Sequence, residues 1–352
     1  MTRGVVWVGV LVVGGMATWA EGAVPEDPTH DGEPVMDGAP AFGLAGTGVG
    51  VKAGSPEDPT HGGKAAMSGA PAFGLTGSAL RDGARAEGAT GQAGAGGGRR
   101  EFLGFDRNEY PGDGTLPALR RHFAFAGYWL NAPPGETANG WVGKREVLRA
   151  AGFGFALLWN GRVDAEILKA QKAGTRPEAM GAREGAAAVA AARGERFPAG
   201  GTIYLDQEEG GRMLPEQAGY LLAWTEAVAK GGFRPGVYGS GQPVGDGPGK
   251  TVTTAEDIRA QVKAKRLHEV AMWVYQDACP PAPGCVVQAP ALGGSGTVGA
   301  EVWQYAQSPR RPESTRACAR TYAADGNCYL PELPGMHLDL SVAGTADPSR
   351  GR

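Results

Sequence analysis

The sequence predicts an α/β protein, a (β/α)8 barrel of TIM type preceded by a signal peptide and a disordered Gly/Pro-rich N-terminal region. Two observations predict it. Glycine is in large excess, at 60 of 352 residues beside 26 prolines, and the first hundred positions are glycine-dense with no sustained strand or helix pattern. The remaining roughly 250 residues match the usual size of an α/β barrel and carry eight short β-rich runs separated by helix-like stretches. The charge is nearly balanced, 34 Lys+Arg against 37 Asp+Glu, which excludes a polyanion binder driven by bulk charge and leaves nucleic acid out as a partner.

At the N-terminus one cation, Arg3, precedes the apolar run from Val5 to Val13 and small residues before Ala20. This reads as a signal peptide over 1–20, too short and glycine-rich for a membrane span. The mature protein is expected to be secreted, or to stay in the periplasm or cell envelope, without stable membrane insertion. From 21 to 100 the chain reads as a disordered linker containing a tandem repeat: PEDPTH at Pro25 returns at Pro56, and GAPAFGL at Gly38 returns at Gly69, a period of 31. Two copies with one Phe each cannot bury enough apolar surface to offset chain entropy. Isolated histidines at His30 and His61 read as solvated. The run GATGQAGAGGGRR marks the boundary, so the barrel is expected over 101–345, with a disordered tail at 346–352.

The eight strand candidates are FLGFD (102–106), HFAFAGYWL (122–130), FGFALLWN (153–160), TIYLDQE (202–208), RPGVYGS (234–240), VAMWVYQ (270–276), AEVWQYA (300–306) and MHLDLSVA (336–343). Between them Lys144 to Ala151, the Ala-rich Ala182 to Arg193, Pro215 to Lys230 and Thr254 to Arg266 read as helices, the third with proline in its first turn. Alternating strand and helix argues for a parallel sheet. A doubly wound open sheet is the alternative, but no strand leads into GxGxxG or GxxxxGK[ST], so nucleotide binding has no support. The stretch from Val163 to Met180 and the loop from Cys279 to Cys285 read as insertions at the catalytic face.

Barrel active sites are built where strands end. The strand ends here carry Asp106, Trp129, Asn131, Trp159, Asn160, Asp206, Glu208, Tyr238, Ser240, Trp273, Tyr275, Gln276, Gln304, Tyr305 and Asp339. Asp206 and Glu208 are two apart, so on an extended strand both point the same way with α-carbons about 6.6 Å apart. Two carboxylates forced close raise one pKa, as a general acid at neutral pH requires. A structural ion-pair cluster of these acids with Arg212 or Arg107 is the competing explanation. Four carboxylates (Asp106, Asp206, Glu208 and Asp339) beside Trp and Tyr suggest glycoside chemistry: carboxylates protonate the leaving oxygen and stabilise an oxocarbenium-like transition state, while aromatic faces stack on sugar rings. Substrate-binding candidates are Tyr238, Trp273, Tyr275, Gln304, Trp159 and Asn160. No cofactor and no metal is called for. His337 shares a strand face with Asp339.

All four cysteines lie in the last quarter of the chain, and an even count in an exported protein favours disulfides. Four cysteines allow three pairings. Proximity along the chain is the only ground for expecting Cys279–Cys285 and Cys318–Cys328.

The order GFD, YLDQE, GVYGS, VWQYA and HLDLSVA resembles glycoside hydrolase family 25, the lysozyme-type muramidases, and is even more similar to the related bacterial glycoside-hydrolase-like domain of unknown function. The resemblance covers roughly Glu101 to Gly344. It implies that Glu208, the glutamate of D-x-E, is the proton donor, that Asp206, Asp106 and Asp339 share the remaining roles, and that Trp273, Tyr238 and Gln304 are subsite residues. Glu209 and the two glycines after it form a loop that the resemblance does not match. An exported, monomeric glycosidase acting on an N-acetylated polysaccharide such as peptidoglycan is the expectation. A catalytically silent glycan-binding barrel at the envelope is the alternative.

Overall fold

In the computed structural model, which describes residues 100–278, 282–310 and 321–352, each of the eight β-rich runs contains a strand. In chain order the elements are β1 (Phe102–Asp106), α1 (Leu116–His122), β2 (Phe125–Trp129), α2 (Arg145–Ala150), β3 (Gly154–Asn160), α3 (Asp164–Lys172), α4 (Pro177–Gly194), β4 (Thr202–Asp206), α5 (Pro215–Lys230), β5 (Arg234–Ser240), β6 (Val244–Gly245), β7 (Thr251–Val252), α6 (Thr254–Lys265), β8 (Ala271–Tyr275), β9 (Val302–Ala306) and β10 (Asp339–Ala343). The expected signal peptide and repeat-bearing linker lie outside the described residues, Arg100 excepted, as do Cys279 and Cys318.

Eight strands close in the order β1-β10-β9-β8-β5-β4-β3-β2, and β6 and β7 form a separate two-stranded hairpin. The barrel departs from eight-fold (β/α) repetition in its last quarter. β10 runs antiparallel to both neighbours, pairing Asp106 with Asp339 on the β1 side and Ser341 with Gln304 on the β9 side. A parallel strand needs a crossover that carries the chain back across the barrel, whereas an antiparallel strand needs only a return at the same rim. Among the described residues no α-helix lies between β8 and β9 or between β9 and β10. The segment after β8 is proline-rich, with Pro280, Pro281, Pro283 and Pro290, and proline both removes a backbone donor and clashes within a helix interior.

Two helices fall outside the four stretches expected to be helical. α1 begins with proline in its first turn and ends in Arg120, Arg121 and His122, a charge placement that suits the helix dipole. α3 and the first turn of α4 occupy the stretch expected to be an insertion. Here Val163 N–H donates to the Glu166 carboxylate at 3.3 Å, and Asp164 and Glu166 lie in the first turn with Lys169 and Lys172 in the last.

Outward-facing strand residues pack beneath the helices: Phe105 lies 5.1 Å from Phe123 and 6.1 Å from Phe153, ring centroid to centroid, and Tyr128, Phe155 and Phe197 form a second edge-to-face group. α4 lies against α5 through Gly181 and Gly185. A β-carbon added at Gly181 would sit 2.0 Å from the Tyr220 carbonyl oxygen, and one at Gly185 would sit 2.6 Å from that of Trp224.

The tail expected to be disordered over 346–352 is instead built into the floor of the barrel. Ser349 N–H donates to Phe155 O at 2.8 Å, Ser349 O accepts from Thr202 N–H at 3.0 Å, and the Ser349 hydroxyl accepts from Leu157 N–H at 2.8 Å. The tail thus satisfies backbone groups below the point where β3–β4 pairing begins, at Leu157 and Ile203. Arg145 fastens it further, donating twice to Gly351 O.

Gly181→Ala is expected to destabilise the fold by about 1–3 kcal/mol through overpacking. Gly194→Ala, where an added β-carbon meets nothing within 4 Å at the end of the same helix, is expected to be neutral or slightly stabilising. Urea midpoints of the two variants check the contrast.

Candidate active site

The rim at the C-terminal ends of the parallel strands opens into a cleft of about 540 Å³. All four predicted acids line it, and three reach it by strand geometry alone. Asp106 and Asp206 end β1 and β4, while Asp339 begins β10, and the reversed direction of β10 carries it to the same rim. The fourth, Glu208, arrives differently from the sequence argument. β4 stops at Asp206, so the pair does not share one strand face: Asp206 is 6% exposed, whereas Glu208 stands exposed on the loop beyond it.

Burial dominates the electrostatics. The Asp106 carboxyl is 7% exposed and its pKa is pushed up to about 7, first by desolvation and then by the charge of Asp206, against the opposing hydrogen bond from Gln304. Asp206 is raised well above the usual carboxylate range by burial, with Glu208 and Asp339 adding like charge. Gly127 makes room for the first of these acids, since a β-carbon there would lie 2.4 Å from Asp106 Cβ. Neither arginine weighed as a neutralising partner pairs with the D-x-E acids. Arg107 bonds Glu109 at 2.9 Å, and Arg212 bonds Asp246 at 2.5 Å and Asp257 at 2.6 Å. Among the described residues no three His, Cys, Asp or Glu side chains form a ligand set for a metal ion.

A chain of neutral hydrogen bonds runs beneath the acids. Gln307 Nε2 donates to the Tyr238 hydroxyl at 2.9 Å, which donates to Gln304 Oε1 at 2.7 Å, and Gln304 Nε2 donates to Asp106 Oδ1 at 3.1 Å. Tyr238 also packs edge-on against Trp273 at 5.4 Å, and both line the cleft.

The remaining sequence candidates divide. Gln304 supports Asp106 from behind, and the Tyr275 hydroxyl donates to the Glu208 carbonyl at 2.7 Å, so both touch the acids. Trp159 does not join the cleft: it pairs in register with Leu205 and by strand alternation shares the outward face of Phe155. Asn160 fastens the loop after β2, its side chain donating to Ala132 O at 2.9 Å while its backbone bonds Asn131. Residues that the strand-end reading missed are Asn108, Glu109, Glu136 and Gln307, all in the loops that line the cleft. Gln307 directly follows β9, and a reading extended one residue past each strand would have included it.

The disulfide also differs from expectation. Cys285 pairs with Cys328, α-carbons 5.4 Å apart, which overturns both Cys279–Cys285 and Cys318–Cys328. The return of the chain into β10 governs the pairing. Cys328 O accepts from Leu338 N–H at 2.9 Å, and Cys328 N–H donates to the Ser308 hydroxyl at 2.9 Å. Ser308 N–H in turn donates to Asp339 Oδ1 at 2.5 Å. The bridge therefore ties the segment after β8 to a segment that reaches a cleft acid through Ser308.

Among protein families, the model of the Rv2525c-like, glycoside hydrolase-like domain matches residues 136–317, just over half of the chain. No curated protein matches the sequence. Among solved structures, an uncharacterized B. stearothermophilus protein is similar at 20% identity and a TM-score of 0.41, over 69% of this chain and 95% of that one. The catalytic domain of endolysin ply40 from bacteriophage P40 of Listeria monocytogenes is similar at 11% identity and 0.38, over 72% and 98%. The spore cortex-lytic enzyme SleL of Bacillus megaterium QM B1551 is similar at 11% and 0.31, over 68% and 63%.

The folded Asp106 carboxyl keeps its proton up to about pH 7, while the unfolded one releases it near its ordinary 3.8. Its contribution to stability is therefore full below about pH 4 and is lost as pH rises to about 7. Asp106→Asn is expected to exceed the wild type in stability at pH 8 by on the order of 1–3 kcal/mol, with the gap closing towards pH 4, measured by urea unfolding across that range. Gln304→Met removes a hydrogen bond that favours the ionised carboxyl, so the Asp106 titration, followed by carboxyl carbon NMR, is expected to move upward.

Proposed function

Because the chain belongs to the Rv2525c-like, glycoside hydrolase-like domain family, we propose that it is an exported glycoside hydrolase that cleaves an N-acetylated cell-wall polysaccharide such as peptidoglycan by carboxylate acid catalysis. The observation that carries this reading is the cleft itself. It brings two buried carboxyls, both with raised pKa values, beside one exposed carboxyl and a Trp/Tyr wall.

In this reading Glu208 delivers the proton. It stands at the mouth, where a glycosidic oxygen is reached, and no side chain among the described residues bonds its carboxylate. A saccharide laid across the mouth excludes water from the space between Glu208 and the glycosidic oxygen. Loss of the leaving group develops positive charge on the sugar ring, and in this reading Asp339, the register partner of Asp106, stabilises it.

Recognition of an N-acetylated sugar is supported by buried polar atoms of cleft-lining residues that have no protein partner. Trp273 Nε1 and Arg107 Nε are donors, and Asp206 Oδ1 and Gln307 Oε1 are acceptors. An acetamido group offers one donor and one acceptor, so it can satisfy one atom of each kind. Export is supported by the Cys285–Cys328 disulfide, which persists in oxidising compartments. Among the described residues no helix is long and apolar enough to cross a membrane.

The test incubates the full chain with insoluble peptidoglycan and with a chitin control and follows new reducing ends. Glu208→Gln is expected to lower turnover by about 100-fold or more while leaving the melting temperature unchanged, because the exposed carboxylate supports no packing. Full activity in that variant would remove Glu208 from the donor role. Co-sedimentation with the polymer without release of reducing ends would replace the hydrolase with a glycan-binding barrel.

A further inference from the structure

We infer that Glu209 and Tyr275 are positioning residues that hold Glu208 at the cleft mouth, an inference that rests on the reading of Glu208 as proton donor. An exposed glutamate on a loop has many accessible conformations, and a misplacement of about 1 Å at a reacting group can cost on the order of 100-fold in rate. The backbone carrying Glu208 must therefore be fixed by groups other than Glu208 itself.

The structure supplies those groups on both sides of the residue. From β8, the Tyr275 hydroxyl donates to the Glu208 carbonyl at 2.7 Å. From the next position, the Glu209 carboxylate gathers three donors, two of them from helices: Asp164 N–H at the start of α3 at 2.7 Å, Gln217 Nε2 of α5 at 2.8 Å and, within the loop, Gln207 Nε2 at 2.8 Å. Gln217 is itself oriented, since its Oε1 accepts from Leu214 N–H at 2.8 Å. Gln207 continues the ladder beyond β4, its N–H donating to Tyr238 O at 2.9 Å. Downstream, the Thr254 hydroxyl of α6 donates to Gly211 O at 2.9 Å. Glu208 is thus the one side chain of the Gln207–Glu209 triplet left out of this web, and its backbone is pinned from β8, α3 and α5.

A carboxylate at Glu209 suits this junction because it is acceptor-only and can take all three donors at once. Its position at the first N–H of α3 is also where the helix dipole favours an anion. Glutamine at 209 keeps one acceptor and presents its own donors to Gln207 and Gln217, and alanine keeps none. Tyr275→Phe preserves the ring that lies 5.4 Å from Tyr238 and removes only the hydroxyl.

The experiment measures hydrolysis of peptidoglycan and amide hydrogen exchange over 207–211 in the full chain, for the wild type, Tyr275→Phe, Glu209→Gln and Glu209→Ala. The expected result is a kcat lowered about 10- to 100-fold in Tyr275→Phe and Glu209→Ala with KM within about twofold, Glu209→Gln falling between wild type and alanine. Exchange over 207–211 is expected to quicken at least about tenfold. Unchanged kcat with quickened exchange would reduce both residues to a structural role, and unchanged exchange would overturn the inference outright. If the wild type itself released no reducing ends, the donor reading would fall separately, and the exchange rates would still decide whether these residues fix the loop. Tyr275→Phe keeps the test decisive should Glu209→Ala fail to fold.

Discussion

Closure of the barrel through an antiparallel β10 is the constraint on which the rest of the structure depends. Seven strands leave two open edges, on β1 and β9, and β10 pairs with both. Because it enters from the catalytic rim, described residues on its approach lie at that rim, where Ser308, Gly335 and His337 line the cleft. Because it leaves at the opposite end, the residues after Ala343 are delivered to the floor, where Ser349 bonds both β3 and β4. One reversal of direction thereby places a fourth acid, brings Cys328 within reach of Cys285 and seats the C-terminal tail. A parallel eighth strand would have put Asp339 at the far end of the barrel.

Asp106 and Asp206 hold their protons more tightly than an ordinary carboxyl because burial desolvates them, and at Asp106 the opposing interaction is a neutral dipole rather than an opposite charge. Gln304, Tyr238 and Gln307 form a neutral array aimed at Asp106, which partly replaces the water that burial removes without fixing the carboxyl as an anion. A guanidinium in the place of Gln304 would draw the Asp106 pKa down and remove the titration near neutrality. The nearby arginines are engaged elsewhere: Arg107 with Glu109, and Arg212 in tying the β6–β7 hairpin to α6 through Asp246 and Asp257. Their placement leaves Asp206 and Glu208 without a pairing to Arg107 or Arg212.

Strand positions were legible in the sequence because buried strands write themselves as short runs of aromatic and β-branched residues, as in GFALLWN and VWQYA. Strand direction was not, since a run such as HLDLSVA reads alike parallel or antiparallel. α3 was missed because Ile167 is its one fully buried residue, too little for a helical period to show. The site was legible as a set of acids at strand ends. Trp159 was misassigned because an aromatic at a strand end can face either way and alternation places it outward. The disulfide was not legible, because Cys285 and Cys328 are 43 residues apart and meet through tertiary structure that local spacing does not encode.

The D-x-E spacing has a physical meaning different from two carboxylates on one strand face. Strand geometry ends at Asp206, so the first acid is fixed by the barrel, buried and with its pKa raised by that burial, while the second lies in a loop with access to solvent. A single rigid strand could not give both properties, because two residues on the same face at adjacent rim positions would share one environment. Ending the strand between them separates a buried interior acid from an exposed one that a polymer can reach. The loop then needs an anchor of its own, and the residue that follows the motif, Glu209, bonds α3, α5 and Gln207 together around it.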